Sequence, residues 1–208
     1  MFPDLTRDDV FRIETRRLWL RWPRAADVAD FTRLAGDKAI ADMTTCLSHP
    51  VQPGEAEDFI LGSRRTNLAG QGLVLTLSPR DDPMALVGMA GVLAQDGGSG
   101  DLVLGYWLGR PYWGQGLMSE ALEATIDMAF LLSGAGRVHS PLLAGNEAGR
   151  KVLQRCGFPV SQECLAPDPE GRKDRFRTAT ISRADWLAAR AASPERIALH
   201  PAAATRPA

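Results

Sequence analysis

Trp113-Gly114-Gln115-Gly116-Leu117-Met118-Ser119-Glu120-Ala121 is the stretch whose residue types and spacing point most directly to chemistry. Gly114 and Gly116 let backbone approach a ligand with no Cβ in the way. An apolar run, Leu102 to Leu108, precedes them, and a helical pattern to about Leu132 follows. Strand, glycine turn and helix in that order gather backbone N–H groups at a helix N-terminus. That is an anion site, and the ligand it predicts carries phosphate. A pair of glycines alone is more often just a tight turn; the flanking order is what marks this one. No Gly-Lys-Ser/Thr follows, so the turn is not a P-loop, and Ser119 stands where a dinucleotide fingerprint needs its third glycine or alanine.

The elements around the turn must hold it still. Its helix has a broad apolar face (Leu117, Ala121, Leu122, Thr125, Met128, Ala129, Leu132) and a narrow polar stripe (Glu120, Glu123, Asp127), the pattern of a helix lying flat on a sheet. Alternation predicts a first strand over Ile13–Arg21, ended by Pro23. Helices are predicted from Val28 to Gly36 and over Glu55–Asn67, and the segment Ala39–Pro53 is irregular. Strands are predicted at Leu73–Leu77, Met84–Leu93 and Leu102–Leu108, with a glycine-rich turn at Gln95–Gly100. After a break at Ser133–Gly136 come a strand, Arg137–Leu143, and a helix, Glu147–Cys156, capped by Asn146 and stopped at Gly157. Val160–Glu163 reads as a short strand, Ala166–Asp174 as a loop, Phe176–Ile181 as the last strand and Arg183–Ala191 as the last helix. This mixture favours an α/β sheet with helices on both faces.

Composition narrows the class. A chain of 208 residues with 45% hydrophobic content fits one ordinary domain, with residues 1–191 as its body and 192–208 as an Ala/Pro-rich tail expected to be flexible. A net charge of −1 demands neither nucleic acid nor an anionic membrane. Only three of the 24 basic residues are lysines, a bias that reads as genome composition. Cys46, Cys156 and Cys164 lack metal spacing, and an odd, sparse set suits reduced thiols in the cytoplasm. Met1–Phe11 is charged and does not read as a signal peptide, and the apolar region Leu117–Leu132 is too interrupted to span a bilayer.

Leu104-Gly105-Tyr106-Trp107-Leu108 through Tyr112-Trp113-Gly114-Gln115-Gly116 to Glu120-Ala121 resembles the acetyl-CoA motif of the GNAT N-acetyltransferase family. It looks most like the RimJ/RimL-like branch, which includes the acetyltransferases acting on ribosomal-protein N-termini. Other segments agree in the family's order. Ile13-Glu14-Thr15-Arg16-Arg17-Leu18-Trp19-Leu20-Arg21 is similar to the branch's first strand and Val87-Gly88 to its "I-G" strand. Asn146-Glu147-Ala148 through Val152-Leu153 to Gly157-Phe158 is similar to its "N-x-A-S…L-x-x-x-G-F" helix, and Ile181–Trp186 to its closing strand and helix.

The resemblance implies a mixed, mostly antiparallel sheet of about seven strands with a V-shaped splay between strands four and five, matched here to Leu102–Leu108 and Arg137–Leu143. Acetyl-CoA would lie in that splay. Its pyrophosphate would rest on Gly114, Gln115, Gly116, Leu117, Met118 and Ser119, flanked by Trp113. Its pantetheine arm would run beside Trp107 and Leu108, and Asn146 would help to hold it. The amine would attack the thioester directly, a strand N–H meeting the oxyanion. No metal is implied. Pro141 fits such a splay, because its missing N–H is cheap where two strands part.

The sequence also departs from the family. Pro111 stands where Gln or Arg is common, Val103 where many branch members carry a glutamate, and Gly149 where the motif has serine. The base and the acid are therefore open. Asp101, on the same strand face as Val103, and His139, of a residue type that titrates near neutrality, are candidate bases; Tyr106 and Ser140 are candidate acids. An α-amine, with a pKa of about 8, needs less help than a lysine. Acceptors expected are therefore a protein N-terminus or another low-pKa amine on a small molecule. The segment Ala39–Pro53 (Asp42, Thr44, Thr45, His49) and the loop Ala166–Asp174 (Asp168, Glu170) would border the amine. A homodimer is suggested by analogy with relatives. Two other readings stand beside this one: a catalytically silent acetyl-CoA-binding sensor or interaction module, and an enzyme of a different phosphate-bearing ligand.

Overall fold

A computed structural model describes residues 12–44, 47–95, 100–167 and 173–192. The expectations for Met1–Phe11, Thr45, Cys46, Asp168, Glu170, most of the Gln95–Gly100 turn and the tail from residue 193 lie outside the described residues.

One sheet of eight strands organises the chain, in the order β1-β2-β3-β4-β5-β6-β8-β7. The strands are β1 (Arg12–Glu14), β2 (Leu18–Arg21), β3 (Gly72–Pro79), β4 (Gly88–Ala94), β5 (Leu102–Leu108), β6 (Arg137–Leu143), β7 (Cys164–Pro167) and β8 (Lys173–Ser182). All neighbours are antiparallel except β5 and β6. The helices are α1 (Val28–Ala35), α2 (Lys38–Ala41), α3 (Pro53–Leu68), α4 (Leu117–Leu132), α5 (Glu147–Arg155) and α6 (Arg183–Ala192).

The predicted first strand is two. Thr15 N donates to Leu18 O at 2.9 Å and Leu18 N donates to Thr15 Oγ1 at 3.0 Å, which closes a turn and folds β1 back on β2. This raises the strand count by one, so the splay expected between strands four and five falls between β5 and β6. Val160–Glu163 is not a strand. It makes one bridge, Val160 to Ala179, and the edge strand β7 begins at Cys164. The irregular segment after Gly36 holds the one-turn helix α2.

Each face of the sheet buries its own core. Leu20, Leu75, Leu104, Leu108, Leu122, Phe130, Val138, Leu153 and Trp186 belong to one cluster, under α4, α5 and α6. Phe31, Leu34, Ile60, Met89 and Trp107 form the other, under α1 and α3. A buried ion pair ties the start of α1 to the sheet. Arg21 grips Asp27 through both nitrogens at 2.8 and 2.7 Å, and Thr76 Oγ1 adds a bond at 3.1 Å. No helix among the described residues is long and apolar enough to cross a membrane.

Candidate active site

β5 and β6 pair at only two positions, Leu102 with Val138 and Val103 with His139, and then part. The surrounding ladders show what faces the gap. Thr178 N donates to Ser161 Oγ and Thr180 N to Pro159 O, so both turn their amides away from β6. Opposed residues in an antiparallel pair face toward or away from each other together. Their partners Pro141 and His139 therefore turn their backbone toward β5. The Pro141 nitrogen faces the gap, beyond the last β5–β6 pair. On β5, Asp101 O accepts from Gln95 N and Gly109 N donates to Val87 O, so odd-numbered residues bond to β4. The backbone of Leu104, Tyr106 and Leu108 faces the gap instead. Ser140 Oγ donates to Leu104 O at 3.2 Å from across it.

At the open end of β5 lies the glycine turn. Gly114 and Gly116 have φ of 73° and 74°, the left-handed region that favours glycine. Gly116 is the N-cap of α4, and the first helical bond runs from Glu120 N to Gly116 O, so the amides of Leu117, Met118 and Ser119 have no partner within the helix. Trp113 Nε1 donates to Leu108 O at 2.6 Å and fastens the turn to the strand.

A second set of residues braces the turn from the far edge of the sheet. Arg17 donates from Nε and from its backbone N to the Glu120 carboxylate, both at 2.7 Å, and from Nη1 to Gln115 O at 2.8 Å. Thr15 Oγ1 donates to the same carboxylate at 2.7 Å. Burial pushes the Glu120 pKa up, but the bonds from Thr15 and Arg17 and the Arg17 charge outweigh it and leave the pKa lowered.

At the closed end, Asp101 and His139 meet. His139 Nε2 lies 3.4 Å from Asp101 Oδ2, and Nδ1 lies 2.9 Å from Thr180 Oγ1. The Asp101 and His139 side chains are 12% and 23% exposed, so the pair is sheltered without being sealed. His139 sits beside Val103, the position where a glutamate was expected.

A family model for the acetyltransferase (GNAT) domain matches residues 17–159. The chain belongs to the GNAT acetyltransferase family. It is an N-acetyltransferase of that family by the same match. It is 29% identical over 122 residues to an N-acetyltransferase called p20 from Bacillus licheniformis, across 59% of this chain and 67% of that one. In fold it is similar to Mycobacterium smegmatis RimJ in complex with a CoA-disulfide (TM-score 0.73, 20% identity, 89% of this chain and 94% of that one). It is also similar to RimL, a ribosomal L7/L12 alpha-N-protein acetyltransferase in complex with coenzyme A (TM-score 0.70, 18% identity, 83% and 98%).

Within this GNAT domain the expected cofactor residues divide. Gly114 to Ser119 form the turn, with the Ser119 hydroxyl buried and without a hydrogen-bond partner. Leu108 presents its backbone to the gap. Trp107 does not: its backbone bonds to β4, and its ring packs edge-on to Phe31 at 5.4 Å in the α1–α3 core. Asn146 lies at the end of the β6 wall with both side-chain atoms engaged. Oδ1 accepts from Gly149 N at 2.7 Å and Nδ2 donates to Met43 O at 3.1 Å, so its contacts are a helix cap and a tie to the turn after α2. Tyr106 reaches from β5 to α5, where its hydroxyl donates to Gly149 O at 3.2 Å. Burial, with Cys156 nearby, raises its pKa. Cys156 is core.

A cavity of about 410 Å³ opens past Asn146, lined by Asp42, Met43, Leu143, Gly145, Glu163 and Arg175 among others. Asp42 and Met43 belong to the first segment expected to border the amine, and Glu163 and Arg175 flank the second. Among the described residues, no cluster of His, Cys, Asp and Glu could hold a metal. The Thr15–Arg17–Glu120 brace went unread in the sequence as part of the site. Its signal was present, an acid in the first turn of a helix whose N-terminus should prefer anions, but the partner lies about a hundred residues away.

Proposed function

We propose that this N-acetyltransferase moves the acetyl group of acetyl-CoA to a primary amine by direct attack on the thioester, and that the acceptor is a protein N-terminus or a small-molecule amine. The observation that carries the reading is the continuity of the gap. The gap-facing β5 backbone, at Tyr106 and at the Leu108 N–H, leads through the Leu108 carbonyl that Trp113 holds to the amides of Leu117, Met118 and Ser119. A pantetheine arm can bond to such a strand as an added edge, and a pyrophosphate can end on the turn. The RimJ and RimL structures named above hold coenzyme A in the same fold.

In this reading the amine nitrogen attacks the thioester carbon, and the oxyanion is met by a β5 N–H aimed into the gap. Collapse breaks the C–S bond and releases the thiolate. Tyr106, with its pKa raised, is a poor proton donor to a thiolate whose thiol has an ordinary pKa, so it steadies the thiolate by hydrogen bonding. The amine's proton passes to His139. In the tautomer that gives Nε2–H to Asp101, Nδ1 keeps its lone pair and is reached directly or through the Thr180 hydroxyl. Positioning two reactants at the closed end of the gap supplies much of the rate.

A thiol-release assay with acetyl-CoA tests this against a panel of peptides with free N-termini, polyamines, aminoglycosides and amino acids. Turnover of at least one amine is expected. Binding of acetyl-CoA without turnover of any would make the chain a cofactor-binding module. Thermal stabilisation by ATP or NAD but not by coenzyme A would overturn the ligand itself.

A further inference from the structure

The hairpin of β1 and β2 lies at the opposite end of the sheet from β6, yet it holds the cofactor turn. We propose that Arg17 is a positioning residue for pyrophosphate binding, a role that rests on the acetyl-CoA reading above. Two features of its geometry carry this. The first is direction. Arg17 Nη1 fixes the Gln115 carbonyl, and in a trans peptide the carbonyl and the next N–H point opposite ways. Anchoring Gln115 O toward the hairpin therefore aims Gly116 N–H away from it, on the side where β5 opens toward β6.

The second feature is charge. Glu120 stands in the first turn of α4, where a free carboxylate would repel an incoming pyrophosphate and compete for the helix N-terminus. Three donors occupy that carboxylate: Thr15 Oγ1, Arg17 N and Arg17 Nε. The Glu120 side chain is 16% exposed, so the charge is held in place and pulled toward the hairpin, while Arg17, at 37%, keeps its guanidinium on the surface of the turn. Arg17 Nη2 lies 3.6 Å from where a Cβ on Gly116 would be, so the cation borders the cradle itself.

The test separates positioning from folding. Coenzyme A binding is measured by titration calorimetry and pantetheine binding, which involves no phosphate, by NMR titration. Arg17→Ala is expected to weaken coenzyme A by about tenfold or more and to leave pantetheine within about twofold. Arg17→Lys, which keeps the charge but not the fork, is expected to recover only part of the loss. Arg17→Ala with Glu120→Gln is expected to bind coenzyme A more tightly than Arg17→Ala alone, because the uncompensated acid is gone. Equal coenzyme A affinity in wild type and Arg17→Ala would overturn the proposal, as would parallel losses of coenzyme A and pantetheine, or a double variant no better than the single one. Failure of the wild type to bind coenzyme A would instead sink the acetyl-CoA reading.

Discussion

The two walls of the gap are built differently. The β5 wall belongs to an uninterrupted antiparallel ladder from β1, and it ends in a turn whose shape is set by two left-handed glycines and a brace from the far edge. The half of the molecule behind it is tied by a buried ion pair, Arg21 with Asp27, at 6% and 1% side-chain exposure. The β6 wall carries a proline, ends at an asparagine cap and leads to ion pairs at the surface, where Arg177 joins Glu147 to Glu163. Backbone geometry defines the first wall and side chains the second. In the proposed function the cofactor lies along the first and the acceptor against the second.

The largest expected difference is in stability. Asp27→Ala strands a buried guanidinium and is expected to cost about 3–5 kcal/mol. Glu163→Ala, on the other wall, is expected to cost less than about 1 kcal/mol. Urea denaturation of both variants measures the contrast, and similar losses would erase it.

Next comes chemistry. His139→Ala is expected to lower kcat by about 10²-fold or more while the affinity for coenzyme A stays within about twofold, because His139 lies on the β6 wall at the closed end and the turn lies at the other. Asp101→Asn is expected to cost less, since in the proposed mechanism it orients the ring and does not take the proton. A matched rise in the coenzyme A dissociation constant would place His139 with the cofactor instead.

The contrast between the walls also explains what the sequence disclosed. The bounds of β5 and β6 were legible to the residue, because glycines bracket both: β5 is an apolar run between Gly100 and Gly109, and β6 alternates between Gly136 and Gly145. So was the turn, a local motif. The break of the first strand at Thr15 was not, because alternation continues through the turn and only the Thr15 to Leu18 bonds reveal it. Trp107 was read as lying beside the cofactor, and its ring packs into the α1–α3 core. That assignment depends on which β5 edge bonds to β4, a register that no single strand encodes. Asp101 and His139 were visible as candidates but not as a pair: their meeting requires the parallel register of β5 on β6 across 38 residues.

Gly149 offers a smaller test of the β6 wall. A Cβ there would lie 2.9 Å from both Asn146 Oδ1 and Nδ2 and from Leu142 Cδ1, so the serine of the family motif has no room while Asn146 caps α5. Gly149→Ser is expected to displace the cap and cost about 1–2 kcal/mol. A thermal melt reads the loss, and an unchanged melting temperature would show that Asn146 can turn aside without penalty.

The smallest effect is electrostatic, and it separates a braced carboxylate from an exposed one. Glu120 and Glu147 both have pKa values below the ordinary 4.5. In Glu120, bonds from Thr15 and Arg17 overcome burial; in Glu147, bonds from Arg177 and Arg150 act at the open surface. Between 4.5 and each lowered value the unfolded chain binds the proton and the folded one does not. Each group therefore contributes stability above about pH 4.5 that is lost as the pH falls through its folded value. Replacing either by glutamine is expected to flatten the acid limb of the stability curve. Salt distinguishes them: at about 1 M ionic strength the Debye length falls to about 3 Å and ions reach the exposed Glu147 pairs, so the Glu147 contribution should shrink. That of Glu120, whose donors sit at 2.7 Å in a partly buried site, should persist. Denaturation at pH 6 and pH 3.5, in low and high salt, reads all four combinations. Equal salt sensitivity of the two would mean that the brace on the turn is no more than another surface pair.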